Sequence, residues 1–499
     1  MNSPSVPRRT HAAGLPPGRW LYRWLDGLSG LLIGAVILWG PWSFGCTPPW
    51  AIAVQNVLGY TLGGLLLLKL ALRRRRPALW RDRSQHRNWM DAGLVWVSGL
   101  LLLYMLISAW NARVVLQPGS WSMAYRDSLS WLPHSFDQER SWRAFAIYLG
   151  LAGFFWAVRD WILHPPPTRP RPGHGEAGAG TGHEDSWLPR RVRVLLWILS
   201  VNGALLAIQS IAQRVSGSEK LLWLLEPRVN KEAVSFFGPY AYRANAAQYF
   251  NLIWPVTLGL WWTYQRAARR RGPGPGRGRP GHLLVSCMLL MAVCPIVSTS
   301  RGGAIIMGGL TLLALGVLGL ALWRSAWGLK LALLTLLAGS VGLGVLLGWE
   351  ELGPRMELVE QGYEQREALF YAGQRMTADA PLYGLGPGTF RNLFRLYMPS
   401  HDEDSLAQMH NDWLETRITF GWLGLGLLLA ALALAMGRWF TRGGLPGEKY
   451  FVLLTWCALG GCLVHARFDF PFQIVSIVAL FLLLCAVLSC LSRPRGQPA

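Results

Sequence analysis

The stretch GWLGLGLLLAALALAMG (residues 421–437) contains seventeen residues and no charge. A helix needs about 20 mostly apolar residues to cross the hydrocarbon core of a bilayer, so this stretch and the residues just before it are long enough to span one. Apolar blocks of the same kind recur along the chain, separated by short polar segments. The pattern therefore predicts a bundle of transmembrane helices rather than a membrane β-barrel.

Extended to the whole chain, this pattern predicts an all-α fold, a polytopic transmembrane helical bundle of about 12 helices. Residues 1–24 are a cytoplasmic N-terminal segment, and 25–236 hold the first five helices. The first helix is retained, since no small-residue cleavage site follows it. A long non-cytoplasmic loop of short helices fills 349–416, and 472–499 form the last helix and a short cytoplasmic tail. The helices are predicted at 25–41, 50–71, 92–111, 142–162, 193–213, 241–263, 282–298, 303–323, 328–348, 417–437, 450–465 and 472–491.

The distribution of positive charge along the sequence is typical of a membrane protein's topology signals rather than of a nucleic-acid-binding groove. The formal net charge is +21, but basic runs such as RRRRPALWRDR (73–83) and RAARRRGPGPGRGR (266–279) flank apolar blocks. Cytoplasmic loops of membrane proteins are enriched in Lys and Arg, so these runs predict both termini inside. The segment 349–416 has twelve acidic residues against five arginines, which fits the outside. We therefore expect membrane lipids as partners and no nucleic acid.

The seven cysteines lie almost entirely within apolar blocks. Their spacing matches neither a metal site nor a disulfide framework, so they are interpreted as small core residues. No cluster has the histidine and carboxylate spacing of a metal site. We therefore expect neither a metal nor a cofactor.

Four polar segments meet on the outside face under this topology. They are FGPYAYRANAAQYFNLIWP (237–255), STSRGG (298–303), MHNDWLE (409–415) and HARFDFPFQ (465–473). Four clusters distant in sequence are explained more simply by one active site than by four separate accidents. PLYGLGPGTF (381–390) follows no strand and precedes no Lys-Ser/Thr, so a rigid turn is favoured over a nucleotide loop.

His410 is the candidate general base, because an imidazole titrates near neutral pH. It precedes a helix in which residues three and four apart come together, so Asp412 or Glu415 could orient it or be the base itself. Asn411 is a supporting residue beside it. The alternative is an interfacial histidine with no role in catalysis.

Arg301 and Arg243 lie on the outside and near membrane depth, where an arginine is costly unless it meets an anion. The planar guanidinium suits a pair of phosphate oxygens. Arg366 could add a further anion contact. The alternative is a snorkelling or structurally paired arginine. His465 and Asp469 are four residues apart and either orient the site or cap a helix.

These segments resemble the bacterial O-antigen ligase and polymerase superfamily of membrane glycosyltransferases. MHNDWLE resembles the family's His-Asn-Asp-aromatic-Leu signature, and STSRGG resembles its Ser-x-Ser-Arg-Gly turn. PLYGLGPGTF and HARFDFPFQ resemble two further family elements. The resemblance covers 237–471, an O-antigen ligase-like core that includes the loop 349–416. Two departures are Asn245, separated from Arg243 by Ala244 where many relatives have Arg-Asn, and Glu415 in place of a common Gln.

The resemblance implies transfer or polymerisation of a glycan from an undecaprenyl-pyrophosphate carrier, at the periplasmic face of the bacterial inner membrane. It further implies an inverting, metal-independent displacement, in which His410 deprotonates the acceptor hydroxyl and Arg301 and Arg243 bind the pyrophosphate. The acceptor would be a glycan, a lipid or a protein, and the family name does not choose among them.

A transporter or flippase for a lipid-linked or anionic solute is the alternative function. Transporters place ionisable residues at mid-bilayer and carry broken helices in paired halves. The sequence shows no such halves. A third alternative is a non-catalytic component of an envelope polysaccharide system, in which His410 would be dispensable.

Overall fold

The computed structural model describes residues 17–75, 89–116, 123–166, 188–227, 231–271, 281–322, 327–357, 359–398, 408–437 and 449–491. Within them the chain folds into fourteen α-helices. Their bounds are α1 Pro17–Trp42, α2 Pro49–Arg75, α3 Trp89–Trp110, α4 Gln138–Leu163, α5 Arg190–Val215, α6 Arg243–Arg271, α7 Gly281–Val297, α8 Arg301–Leu322, α9 Trp327–Glu357, α10 Val359–Asp379, α11 Phe390–Tyr397, α12 Asp412–Gly437, α13 Lys449–His465 and α14 Val475–Leu491.

Each of the twelve helices predicted from the sequence corresponds to an observed helix, and α10 and α11 occupy the long loop. Seven helices of the described chain are long and apolar enough to cross a membrane, namely α1 to α5, α8 and α12, and three shorter apolar helices are α7, α13 and α14. The protein is a multi-pass membrane protein. Much of the basic runs 73–83 and 266–279 lies outside the described residues.

The prediction of an all-α fold missed a small sheet between α3 and α4. Strand β1 (Ala112–Leu116) pairs antiparallel with β2 (Met123–Tyr125) and parallel with β3 (Ser135–Asp137). These strands have three to five residues, too few for an alternating pattern to be visible in the sequence. Asp137 then caps α4, since its side chain accepts a hydrogen bond from the Arg140 amide at 3.1 Å.

Helix α6 lies at the centre of the bundle, where it packs against α7 and α13. Its Phe250 and Trp254 are fully buried. Because both faces of α6 are covered, the position of its first residue, Arg243, is fixed by the core of the bundle.

An ionic cluster ties α1, α2, α4 and α5 together at the other end of the bundle. Lys69 is fully buried, with its Nζ 2.8 Å from Asp160 and 3.5 Å from Asp26. Arg73 pairs with Asp160, and Arg191 pairs with Asp26. A buried charge costs several kcal/mol unless it is paired, so the charges near these helix ends are structural partners of each other.

Helix α12 is broken at Gly421, whose backbone (φ 60°, ψ −169°) is not helical. The break exposes carbonyl and amide groups, and the segment 381–386 pairs with them. Leu385 N donates to Ile418 O at 2.8 Å, and Trp422 N donates to Pro381 O at 2.9 Å. PLYGLGPGTF is thus a rigid turn locked into a transmembrane helix, as the sequence favoured.

Replacing Gly421 with Ala is expected to destabilise the fold. The added Cβ would lie 2.4 Å from Leu382 O in a backbone region open essentially to glycine alone, at a cost of about 1–3 kcal/mol or more. The measurement is the thermal unfolding midpoint of the purified protein. Gly426→Ala in the same helix is the matched control, since a Cβ there meets nothing within 4 Å. Equal midpoints for the two variants would contradict the structural role of the break.

Candidate active site

His410 lies two residues before α12, with a left-handed backbone (φ 52°). The following Asn411 caps the helix, accepting a hydrogen bond from the Leu414 amide at 3.2 Å. His410 Nδ1 lies 3.3 Å from Asp469 Oδ1, in the turn between α13 and α14. The histidine side chain is 20% exposed and the aspartate only 8%, so the imidazole is the member of the pair that a substrate can reach.

Asp469 is held from several sides. Tyr242 donates its hydroxyl to Oδ2 at 3.4 Å, and the Phe470 amide donates to Oδ1 at 3.1 Å. Burial alone would raise the pKa of Asp469, but the hydrogen bond with His410 and the positive charge of Arg366 outweigh it. The pKa therefore lies below its usual range, and the carboxylate stays ionised.

Asp412 joins the first turn of α12 to the α13–α14 turn. Its Oδ2 accepts from the Phe472 amide at 2.7 Å, and its Oδ1 accepts from Gln473 Nε2 at 2.9 Å. Its own amide donates to Ala466 O at 2.8 Å. Because both carboxylate oxygens are engaged, Asp412 is a structural clamp.

Glu415 accepts a hydrogen bond from the Met409 amide at 2.9 Å, so it fixes the backbone just before His410. The sequence left open whether Asp412 or Glu415 orients the imidazole or is itself the base. The carboxylate within hydrogen-bonding distance of the imidazole is that of Asp469. The reason is the left-handed backbone of His410, which places it outside the helix whose residues would otherwise line up with it.

Aromatic rings surround the imidazole. His410 meets Phe470 edge-on at 4.9 Å between ring centroids, and Tyr242 at 5.9 Å. Tyr242 stacks on Phe470 at 5.1 Å. These rings limit the rotation of the imidazole, so with Nδ1 directed at Asp469 the Nε2 atom is left to take a proton.

The three predicted arginines all approach this site, each with a backbone carbonyl as partner. Arg243 Nη1 donates to Val234 O at 2.9 Å, and Arg366 Nη1 donates to Phe468 O at 2.9 Å. Arg301 donates to the carbonyl of Arg355 at 3.4 Å. A backbone carbonyl orients the guanidinium that donates to it and carries no formal charge that would neutralise it.

Sequence reasoning missed Arg214 and Arg355. The charge of Arg355 acts on Arg214, Arg243 and Arg301, and that of Arg243 acts on Arg214. Among the described residues, Glu351 is a carboxylate that acts on Arg214. Arg355 is one arginine within an acidic segment and Arg214 sits at a helix end, so neither had a motif to mark it.

His465 and Asn245 are both buried within the bundle. His465 Nδ1 lies 2.7 Å from Gln248 Oε1, and its Nε2 lies 4.0 Å from Asp469 Oδ2. Asn245 is buried in the first turn of α6. A Cβ at Gly303 would lie 2.3 Å from Ala247 Cβ, so glycine is required for α8 to approach α6 this closely.

An apolar groove begins beside the site. It is formed by α3, α4, α12 and α14 and has a volume of about 200 Å3. Along α12 its lining extends from Asp412, at the start of the helix, to Ala435, near its end. Leu101, Leu151 and Phe481 line its walls.

The fold and the site together define a multi-pass membrane protein with a histidine–aspartate pair beside a group of arginines. Residues 286–429 match the family model described as O-antigen ligase. This match confirms the predicted resemblance to the O-antigen ligase and polymerase superfamily, and it includes Arg301, Arg366 and His410. No curated protein matches the chain.

Replacing Asp469 with Asn is expected to reduce glycan transfer about 100-fold or more, because the imidazole loses its orienting carboxylate. Transfer is measured as the envelope glycan profile of a deletion strain complemented with each variant.

The Asp469 carboxylate should also affect acid stability. Because the pKa of Asp469 is lower in the folded protein than its value of about 3.9 in the unfolded chain, the ionised carboxylate stabilises the fold above that pH. This contribution is lost as the pH falls further. Below about pH 4 the wild type should therefore lose stability more steeply than the variant. Parallel acid unfolding curves would contradict this assignment.

Replacing Glu415 with Gln separates a structural role from a role as base. The amide oxygen of Gln can still accept the Met409 amide, so transfer should stay within about fivefold of wild type. Glu415→Ala removes that acceptor and should reduce transfer further. A loss of about 100-fold in Glu415→Gln at normal protein level would identify Glu415 as the base instead.

Proposed function

We propose that this protein transfers a glycan from an undecaprenyl-pyrophosphate-linked donor to an acceptor hydroxyl at the periplasmic face of the bacterial inner membrane. The observation that carries the proposal is the pairing of His410 with Asp469 beside Arg243, Arg301 and Arg366. A general base implies that an acceptor hydroxyl is deprotonated so that it can form a new bond. Cations beside it imply a negatively charged leaving group, so the arrangement favours transfer over transport.

In the proposed reaction, the acceptor oxygen attacks the anomeric carbon while its proton moves to Nε2 of His410. The bond from that carbon to the pyrophosphate oxygen breaks, and the departing pyrophosphate gains negative charge. Arg243, Arg301 and Arg366 stabilise that charge as it develops. One displacement inverts the anomeric centre, and the arginines supply the positive charge, so the proposal needs no metal.

The groove beside Asp412 supports lipid-linked substrates. Its length along α12 and its apolar walls suit an extended hydrocarbon chain. Asp412 lines one end of the groove and accepts a hydrogen bond from Phe472, in the turn that holds Asp469. A hydrocarbon chain in the groove would therefore bring its head group to the imidazole of His410.

We further propose that all twelve predicted helices cross the membrane. An even number of spans places both termini on one side of the membrane, which we propose is the cytoplasm, with the His410 end in the periplasm. The basic runs 73–83 and 266–279 support this orientation, as does the acidic balance of 349–416.

The test is the envelope glycan profile of a deletion strain complemented with wild type, His410→Ala or Arg301→Ala. We expect the deletion strain to accumulate lipid-linked glycan and neither variant to restore transfer. Loss of the base alone should lower the rate about 100-fold or more. Stalled single repeat units would indicate a polymerase, and stalled long chains a ligase.

The matched control is Arg126→Ala, since Arg126 is exposed and lies beyond the small sheet. It removes one positive charge and should leave the profile unchanged. Normal glycan in the His410→Ala and Arg301→Ala strains, at wild-type protein level, would refute the proposed function.

A further inference from the structure

A short turn before α6 gathers donors from three parts of the bundle. Residues 233–236, here named the carbonyl turn, begin with a 3₁₀ turn at Ala233–Ser235. Arg214, at the end of α5, donates from Nη1 to Ala233 O at 3.0 Å and from Nη2 to Phe236 O at 2.8 Å. One guanidinium thus spans both ends of the carbonyl turn.

The middle of the carbonyl turn faces the proposed pyrophosphate site. Val234 O accepts from Arg243 Nη1 at 2.9 Å and lies 3.5 Å from the hydroxyl of Thr299. Thr299 has a left-handed backbone (φ 60°) and lies two residues before Arg301. A single carbonyl therefore contacts both Arg243 and the turn that carries Arg301.

Arg214 is itself seated firmly. Its guanidinium lies over the ring of Phe237, 5.5 Å from the centroid. The chain beyond the carbonyl turn packs on α5, since a Cβ at Gly238 would lie 2.1 Å from Ser210 Oγ. The planar fork of arginine reaches two carbonyls at once, which the single ammonium of lysine does less well.

We propose that Arg214 is a positioning residue, which holds the carbonyl turn so that Val234 sets the spacing of Arg243 and Arg301 for two adjacent phosphate groups. This inference rests on the proposed function. The charges of Arg301 and Arg355 repel Arg243, so without an anchored carbonyl Arg243 would move away from them. Arg214 acts through Arg243, and its loss should weaken binding of a pyrophosphate group.

The experiment measures the affinity of the purified full-length protein for inorganic pyrophosphate by calorimetric titration. Arg214→Ala should weaken binding about 10-fold, the effect of one charge-assisted hydrogen bond, and Arg214→Lys should restore part of it. Arg126→Ala is the matched control and should bind like wild type. The thermal unfolding midpoint of each variant is measured alongside, and Arg214→Gln replaces Arg214→Ala if the latter does not fold.

A double-mutant comparison distinguishes positioning from general support. In an Arg243→Ala background, adding Arg214→Ala should change pyrophosphate affinity by less than about twofold, because the residue acts through Arg243. A full 10-fold effect in that background would overturn the proposal, and so would wild-type affinity in a folded Arg214→Ala variant. Absence of pyrophosphate binding by the wild type would instead count against the proposed function itself.

Discussion

The hydrogen bonds of Asp412 are the constraint on which the site depends. They join the first turn of α12 to the α13–α14 turn through the backbone amide of Phe472 and the side-chain amide of Gln473. Because His410 precedes that helix and Asp469 belongs to that turn, the same bonds determine the separation of the base and its carboxylate. A buried carboxylate with both oxygens engaged gives this junction a rigidity that an exposed loop would lack.

The arginines form the second part of the site, and their problem is mutual repulsion. Arg243, Arg301 and Arg355 act on one another at the ends of three different helices. Backbone carbonyls at Val234 and Arg355 orient two of the guanidinium groups without cancelling their charge. A bound dianion would relieve this repulsion, so the arginine charges favour binding of a ligand such as a pyrophosphate.

Sequence patterns predicted the helices well, because an apolar block of about 20 residues is a strong local signal. The break at Gly421 and the small sheet depend on backbone pairing between distant segments, which leaves no local pattern. The sequence also predicted that His410 and the candidate arginines lie on one face of the membrane, because successive spans alternate in direction and so fix the side on which each loop lies. It did not predict the pairing of His410 with Asp469, which follows from one backbone angle, or the place of Arg214, which follows from carbonyls of an irregular turn.

The arrangement of charge around His410 argues for two substrates that approach from different sides. The arginines belong to α5, α6, α8, α9 and α10, whereas the groove is formed by α3, α4, α12 and α14. A pyrophosphate and a hydrocarbon chain of a second molecule can therefore occupy the two sides together. In the proposed reaction, the imidazole of His410 takes the proton of the acceptor hydroxyl as the glycan leaves the pyrophosphate.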